Sequence, residues 1–478
     1  MSTPSTLPAS VADGVKPRLG WTLALLALAQ LIYALDLNIV FVALPRIGAD
    51  LGFPGQTQQL VVSAYVVFAG GFLLFGGRAA DLLGRRRLFV LALALYALSS
   101  LAGGLATGPV VIIVARAVQG VGGALLLPST LALLNSLFAE GRQRNRALAV
   151  WGGAGASGLT IGALLGGVLT ENFGWPAVFF VNVPLAGLVA LAALAVVPRD
   201  PARRERRRFD MPGAFTVTGG STLLVFALVE GPELGWGSPL VAGAFAVAAV
   251  LLVIFALVEA RSADPLMPFR LFRNRSLTVG MLVTFVYMAT FGVLPYFLTV
   301  LLQSVHGYSA LQSGLAFLVP SLAIAAGTQG GERLATRIGT RTTLLIGFAV
   351  GVAGTAVLAL GFDADAGYGL LIPGLVVSGL GQGVVWTAMW IAAATGTPAH
   401  EQGVANGIAS TALNIGNAIG LAVFTVIADL GTAGRTGQAL RDATADGGFL
   451  VVLLTAAVMI AGLLVTLTLP RRTPDPTP

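Results

Sequence analysis

The chain has 478 residues, 56% hydrophobic and 10% charged, with no cysteine, two histidines and a net charge of +7. A mean hydropathy of +0.87 excludes a soluble domain of this length, which would leave large apolar patches in water. The missing cysteine excludes disulfides and thiolate metal sites, and with His306 and His400 both in predicted loops, no metal and no cofactor is expected. The positive charge would suggest nucleic acid in a soluble protein. Here the basic residues sit between apolar runs, where they read as topology signals, so a lipid bilayer rather than nucleic acid is the expected partner.

Fourteen runs have the roughly 20 residues that cross about 30 Å of hydrocarbon. They lie at 20–44, 57–77, 88–107, 109–136, 147–169, 175–197, 211–230, 239–259, 276–300, 309–330, 343–361, 368–394, 402–428 and 448–470. The fold class is an all-α polytopic membrane protein. The first twenty residues are polar and the first run continues through Asp36 and Asn38 to Pro45 without a small-residue cleavage site, which predicts a retained helix and no cleaved signal peptide. Placing both termini in the cytoplasm puts 24 of the 28 Lys and Arg residues on that side, as the positive-inside rule requires. All the connections are short and none carries a Walker A sequence, so transport driven by the chain's own ATP hydrolysis is not expected. The longest cytoplasmic linker, Pro198 to Asp210, contains Arg203-Arg204-Glu205-Arg206-Arg207-Arg208 and reads as a solvated stop signal that touches anionic headgroups.

In predicted span 1, Asp36 lies about 12 Å from the end at Leu44, and in span 4 Arg116 lies about 10 Å inside Pro109, at about 1.5 Å per residue. Charges at such matching depth mark a pathway or pair with one another. Asp36 and Arg116 are therefore the candidates for proton coupling, with a permanently closed ion pair as the plain alternative. Between spans 2 and 3, Gly77-Arg78-Ala79-Ala80-Asp81-Leu82-Leu83-Gly84-Arg85-Arg86-Arg87 packs five charges into what reads as a tight cytoplasmic turn. Bonds from Asp81 to Arg78 and Arg85 would fasten helix ends there. Gly77, Arg78, Asp81, Gly84, Arg85 and Arg86 form a candidate conformational gate, because exposed pairs worth about 0–1 kcal/mol bias a conformer more than they hold a fold. In span 5, Gly158, Gly162, Gly166 and Gly167 strip side chains from the helix and let a neighbouring backbone approach, as packing or as a hinge. Gln30, Tyr33, Tyr65, Tyr287, Tyr296, Trp386, Trp390 and Asn414 are the aromatic and amide candidates for an amphipathic substrate cavity.

Aligning Gly84 with Gly339 pairs Arg78 with Arg333 and Arg86 with Arg341, while Asp81 faces Thr336. Nearly the same offset pairs Gly158 and Gly162 with Gly416 and Gly420, and Gln119-Gly120 with Gln382-Gly383. The chain thus reads as two related six-helix bundles, residues 1–197 and 276–478, separated by residues 198–275 with a linker and two further helices. Two such halves around a midplane cavity match transporters in which one half rocks against the other.

The loop from Gly77 to Arg87 resembles the G-x-L-A-D-x-x-G-R-R/K-R/K signature of the major facilitator superfamily, with Ala79 where Leu is usual. Leu35-Asp36-Leu37-Asn38-Ile39-Val40-Phe41-Val42-Ala43-Leu44-Pro45 is similar to the L-D-x-T-x-x-N-V-A-L-P stretch of its fourteen-helix drug:proton antiporter branch, with Asn38 and Phe41 as departures. Arg116-Ala117-Val118-Gln119-Gly120-Val121-Gly122 resembles the family's R-x-x-Q-G-x-G motif. Gly158-Leu159-Thr160-Ile161-Gly162-Ala163-Leu164-Leu165-Gly166-Gly167 is similar to the exporters' G-x-x-x-G-P-x-x-G-G, with Ala163 for its proline. Trp175 and Phe179-Phe180-Val181-Asn182-Val183-Pro184 also fit. The resemblance implies a major facilitator fold with an inserted helix hairpin. It implies a monomeric, multi-pass exporter in a bacterial cytoplasmic (inner) membrane, exchanging protons for hydrophobic or amphipathic antibiotics, dyes or lipophilic cations. A proton-coupled importer or uniporter of a metabolite is the alternative on the same fold. An intramembrane enzyme would need a nucleophile-base or metal constellation that the sequence does not supply, and a non-transporting receptor would bind without flux.

Overall fold

Where polar connections meet apolar runs, local chemistry sets the helix starts. Proline occupies the first turn of the helices that begin at Pro109, Pro176 and Pro239, where its missing N–H is no loss. Asp210, Ser238, Asn274 and Ser309 each turn a side-chain oxygen onto backbone N–H groups of the next turn, satisfying donors that a helix start leaves open. Ser309 and Gln312 close a reciprocal capping box.

The computed structural model describes residues 19–53, 57–200, 210–262, 265–398, 401–432 and 434–470. Lys16, Arg18, the arginine run Arg203–Arg208, His400, Arg471 and Arg472 lie outside them. Among the described residues all regular structure is helical. The order is α1 (Leu19–Asp50), α2 (Leu60–Gly71), α3 (Leu73–Leu83), α4 (Arg85–Gly104), α5 (Pro109–Leu137), α6 (Arg142–Phe173), α7 (Pro176–Phe180) and α8 (Asn182–Val196). Then come α9 (Met211–Leu234) and α10 (Pro239–Arg261), a 3₁₀ turn at Phe269–Arg273, α11 (Arg275–Thr290) and α12 (Leu294–Val300). A π-helical turn, Leu301–Val305, leads to α13 (Ala310–Ala316), α14 (Leu318–Ile338), α15 (Thr340–Ala359), α16 (Tyr368–Ala394), α17 (Gln402–Asp429) and α18 (Gly437–Leu467). Twelve of the helical stretches are long and apolar enough to cross a membrane, and the α2–α3 pair, bent by 51°, makes thirteen. The 32-residue α6 is not among these; at about 1.5 Å per residue it is roughly 48 Å long.

Two departures from the sequence reading matter for function. The segment Gly77–Arg87 is not an eleven-residue turn, for α3 runs on through Asp81 to Leu83 and α4 begins at Arg85. Gly84 alone reverses the chain, with φ of +100°, a backbone region open to glycine and strained for other residues. The second predicted span is also not straight but breaks at Phe72, between α2 and α3. Against that break lies α9: the Ser221 hydroxyl is shared between the Val217 carbonyl of its own helix at 2.5 Å and the Gly71 carbonyl at 2.7 Å, and Val225 and Thr222 press on Gly70 and Gly71.

In the N-terminal group α1 packs along α6, and α5 lies against α2, α3 and α4. In the C-terminal group α16 lies between α14 and α15, and α11 packs along α17. The groups meet where α17 crosses α3 and α5 and where α14 and α16 cross α6. The hairpin of α9 and α10 is not peripheral to that junction, since α9 touches α2 and α3 on one side and α17 on the other.

Candidate functional site

Asp36 and Arg116 are fully buried, at 0% and 1% exposure, and they meet. Arg116 Nη1 donates to Asp36 Oδ2 at 2.6 Å. The other carboxylate oxygen accepts from Gln119 Nε2 at 2.9 Å and from Asn182 Nδ2 at 2.8 Å. Arg116 Nε reaches the Val61 carbonyl at 3.1 Å, and its Nη1 also reaches Gln119 Oε1 at 2.9 Å. Gln119 in turn donates to Ser100 Oγ at 2.8 Å. The guanidinium stands 4.4 Å above the Tyr65 ring, a cation–π contact that is strongest where water is excluded. Five helices, α1, α2, α4, α5 and α8, thus join in one network around this carboxylate, α5 and α8 bonding it directly. Burying two charges is costly unless hydrogen bonds satisfy them, and here three neighbouring groups do so. Gln119 and Asn182 stand in the sequence as motif residues only; nothing in their spacing names Asp36 as their partner.

The second cluster lies at the end of the molecule where α3 meets α17. Asp81 Oδ1 and Oδ2 accept from the backbone N–H groups of Gly403 and Val404 at 3.1 and 2.9 Å. These are among the open donors of a helix N-terminus, where the helix dipole favours an anion. Arg85 stands 3.8 Å from the same carboxylate, and Arg78 is buried within electrostatic range of both Asp81 and Glu259. Arg86 points elsewhere: its side chain donates to the Leu194 carbonyl, while Asp200 accepts from the backbone N–H groups of Arg86 and Arg87 at 3.1 and 3.3 Å. Gly77 sits where a Cβ would come within 2.5 Å of the Gly403 carbonyl, so the crossing admits no side chain. Nearby, Asn135 donates to Asn406 at 3.3 Å. On the other crossing Asn145 of α6 donates at 3.1 Å to Thr336, the residue that the internal repeat sets opposite Asp81. The two junctions are related in position, but they use their acids differently: Asp81 accepts directly from the other half, whereas Glu332 accepts from Thr336 of its own helix at 3.4 Å.

The remaining candidates separate into groups. A Cβ on Gly158, Gly162 or Gly166 would lie 2.5, 2.3 and 2.8 Å from carbonyl oxygens of Leu31, Leu35 and Ile39, so the stripe seats α6 on α1. Gly167 faces open space and is not part of it. Gln30 lies against Gly155, and Tyr33 and Tyr65 lie against Gly123. Trp386 and Trp390 join Trp151 of α6, which the sequence reading passes over: Trp151 stacks on Trp386 at 6.0 Å between centroids and meets Trp390 edge-on at 5.8 Å. Tyr287 adjoins Trp386 at 5.5 Å. Tyr296 is apart from these, 44% exposed, in the wall of a cavity of about 40 Å³ with Phe297, Phe362 and Asp429. The Asn414 amide donates one turn back to the Ser410 carbonyl.

A chain of membrane-spanning helices with a buried ion pair in mid-span, in two helix groups that meet through close glycine contacts and a few polar and aromatic side chains, has the build of a membrane transporter and not of an enzyme. It belongs to the Major Facilitator Superfamily, whose family model matches residues 26–421 and again 280–478. The chain is 36% identical over 464 residues to the puromycin resistance protein pur8 of Streptomyces alboniger, covering 94% of this chain and 91% of that protein. It is 38% identical over 444 residues to the cephamycin export protein CmcT of Amycolatopsis lactamdurans, covering 91% of each. The multidrug resistance protein Stp of Mycobacterium tuberculosis is 35% identical over 404 residues, covering 84% of this chain and 74% of that protein. Among solved structures, the human organic anion transporter MFSD10 superposes with a TM-score of 0.68 at 18% identity, covering 94% of this chain and 100% of that one, a likeness of fold.

Proposed function

We propose that this chain is a proton-coupled exporter of hydrophobic or amphipathic small molecules, in the class of antibiotics and dyes. The reading is of a monomer in a bacterial cytoplasmic membrane, with both termini inside. Residues 1–197 and 276–478 form the two six-helix halves, residues 198–275 the linker and inserted hairpin, and α6 the fourteenth crossing. The observation that carries it is the Asp36 network: a mid-span carboxylate held by Arg116, Gln119 and Asn182 in a chain with no ATP-binding sequence. A proton on Asp36 releases Arg116; substrate or Arg116 takes the site back when the proton leaves, and competition for one acid couples the two flows. The antibiotic resistance and export proteins among its relatives support export over import. Asp81 on the α17 N-terminus serves as the gate on the cytoplasmic side, and the glycine stripe of α6 as the pivot.

The indole N–H groups of Trp151, Trp386 and Trp390 have no hydrogen-bond partner in the protein, and the three rings bridge the two halves. They suit a flat, acceptor-bearing substrate, since buried donors gain most from a partner. The test is flux in everted vesicles under an imposed proton gradient, across a set of lipophilic compounds. Accumulation that collapses with the gradient is expected. Uptake in the opposite sense would establish the importer instead, and binding without flux a receptor.

A further inference from the structure

The first turn of α17 has two carboxylates beside it, and Asp81 is the one that caps it. Glu401 is the N-cap residue, with φ of −119° and no side-chain cap hydrogen bond. An N-cap side chain ordinarily accepts from the second and third backbone N–H groups of the helix it opens. In α17 those are Gly403 and Val404, and both are taken by Asp81 from the other half. Glu401 is instead drawn to Arg270: Nη1 donates to Oε2 at 3.2 Å and Nη2 to Oε1. The acid is 1% exposed and the arginine 60%.

Arg270 lies in the 3₁₀ turn just after the inserted hairpin, and the hairpin sets its place. Glu259, at the end of α10 and 4% exposed, accepts from the backbone N–H groups of Leu266 and Met267, both at 3.0 Å, which fixes the connection leading to Arg270. Leu266, Met267 and Phe255 pack with Leu74 and Phe75 of α3, the helix that carries Asp81. We propose that Arg270 is a positioning residue of the gate: by forking Glu401 it keeps that carboxylate off the α17 N-terminus and leaves the two donors to Asp81. Without Arg270, Glu401 competes for the same N–H groups and repels Asp81, and the two halves part at this end. The inserted hairpin thereby holds the gate from outside both bundles. The proposal rests on the gate role given to Asp81 above.

The chain contains no cysteine, so a single one can report the opening. Ser410 is 0% exposed and lies two turns further along α17 on the face of Gly403 and Gly407. In a Ser410→Cys background, labelling by a membrane-impermeant maleimide from the gate side measures how often the halves part, with neither substrate nor proton gradient present. Arg270→Gln should raise the rate roughly tenfold, the factor for one lost charge-assisted hydrogen bond, and adding Glu401→Gln should return it to within about twofold of the parent. That reversal separates competition by Glu401 from a structural defect at residue 270, which removing the acid would not repair. The proposal is overturned if Asp81→Asn raises labelling while Arg270→Gln does not, or if the double variant labels as fast as Arg270→Gln alone. If Asp81→Asn leaves labelling unchanged, the gate role falls and this inference with it. Should Arg270→Gln fail to fold, Arg270→Lys, which keeps the charge and loses the fork, is compared with and without Glu401→Gln. A rise that Glu401→Gln cancels supports the proposal; no rise, or one it leaves intact, overturns it.

Discussion

The two members of the buried pair differ in what their loss leaves behind. Arg116→Ala strands a carboxylate at 0% exposure with only the neutral amides of Gln119 and Asn182, and breaking a buried pair from one side costs about 3–5 kcal/mol. Little folded protein is expected, and a thermal melt in detergent checks it. Asp36→Asn also leaves a buried charge, on Arg116, but its amide oxygen can still accept from Nη1, the Tyr65 ring still faces the guanidinium, and Asn182 Oδ1, buried without a partner, can accept from the new amide once rotated; the loss is expected to be smaller. The variant should stay folded in the membrane and lose proton-driven efflux. If it still concentrates substrate against a gradient at the parent rate, Asp36 is a static structural ion and not the coupling site. Both charges were legible in the sequence because each is alone in an apolar run. Their amide partners were not, since a glutamine or asparagine inside a helix alters hydropathy little and its partner depends on how five helices converge.

At the level of helices, α6 offers a paired test on two of its glycines. A Cβ on Gly162 would come within 2.3 Å of the Leu35 carbonyl oxygen, whereas one on Gly167 would meet nothing. Gly162→Ala should therefore push α1 and α6 apart, costing about 1–3 kcal/mol as overpacking does, with lower thermal stability and slower turnover. Gly167→Ala should leave both unchanged. Equal behaviour of the two would mean that the α1–α6 crossing does not set the rate. The spacing of four made the stripe readable from sequence, and it also explains the one residue misread. Gly167 follows Gly166 by about 100° around the helix and cannot share its face. The end of α3 was misread for a different reason. A charged stretch between two apolar runs looks like a loop, yet α3 carries Arg78 and Asp81 within helix, where they meet charges and donors of α10 and α17 that no local pattern reveals.

Across the whole molecule, the two halves were visible as a repeat, but what joins them was not. Asp81 and Gly403 are 322 positions apart, and Trp151 finds Trp386 and Trp390 only once the halves are docked. Among the described residues of the C-terminal half, the acids Glu332, Glu401 and Asp429 stand near or at helix ends, Asp442 and Asp446 in the first three turns of α18 are exposed, and no buried acid lies in mid-span. Beyond Asp36, a substrate with two positive charges would find no second carboxylate buried in mid-span among the described residues to offset the loss of its hydration. Efflux of a bivalent cation is accordingly expected to be well below that of a monovalent analogue, in the same vesicles, and equal rates would contradict it. The contact between Ser221 and the Gly71 carbonyl bears on the molecule's modularity. At bilayer depth a carbonyl at a bend has no water to turn to, and α9 sets the Ser221 hydroxyl beside that carbonyl of Gly71 and fills the groove beside Gly70 and Gly71. Excising residues 211–261 and rejoining the ends would therefore not return a simpler working transporter but a wounded one, its broken second helix turned toward acyl chains. What the sequence presents as an insert has become a wall of the structure it was inserted into.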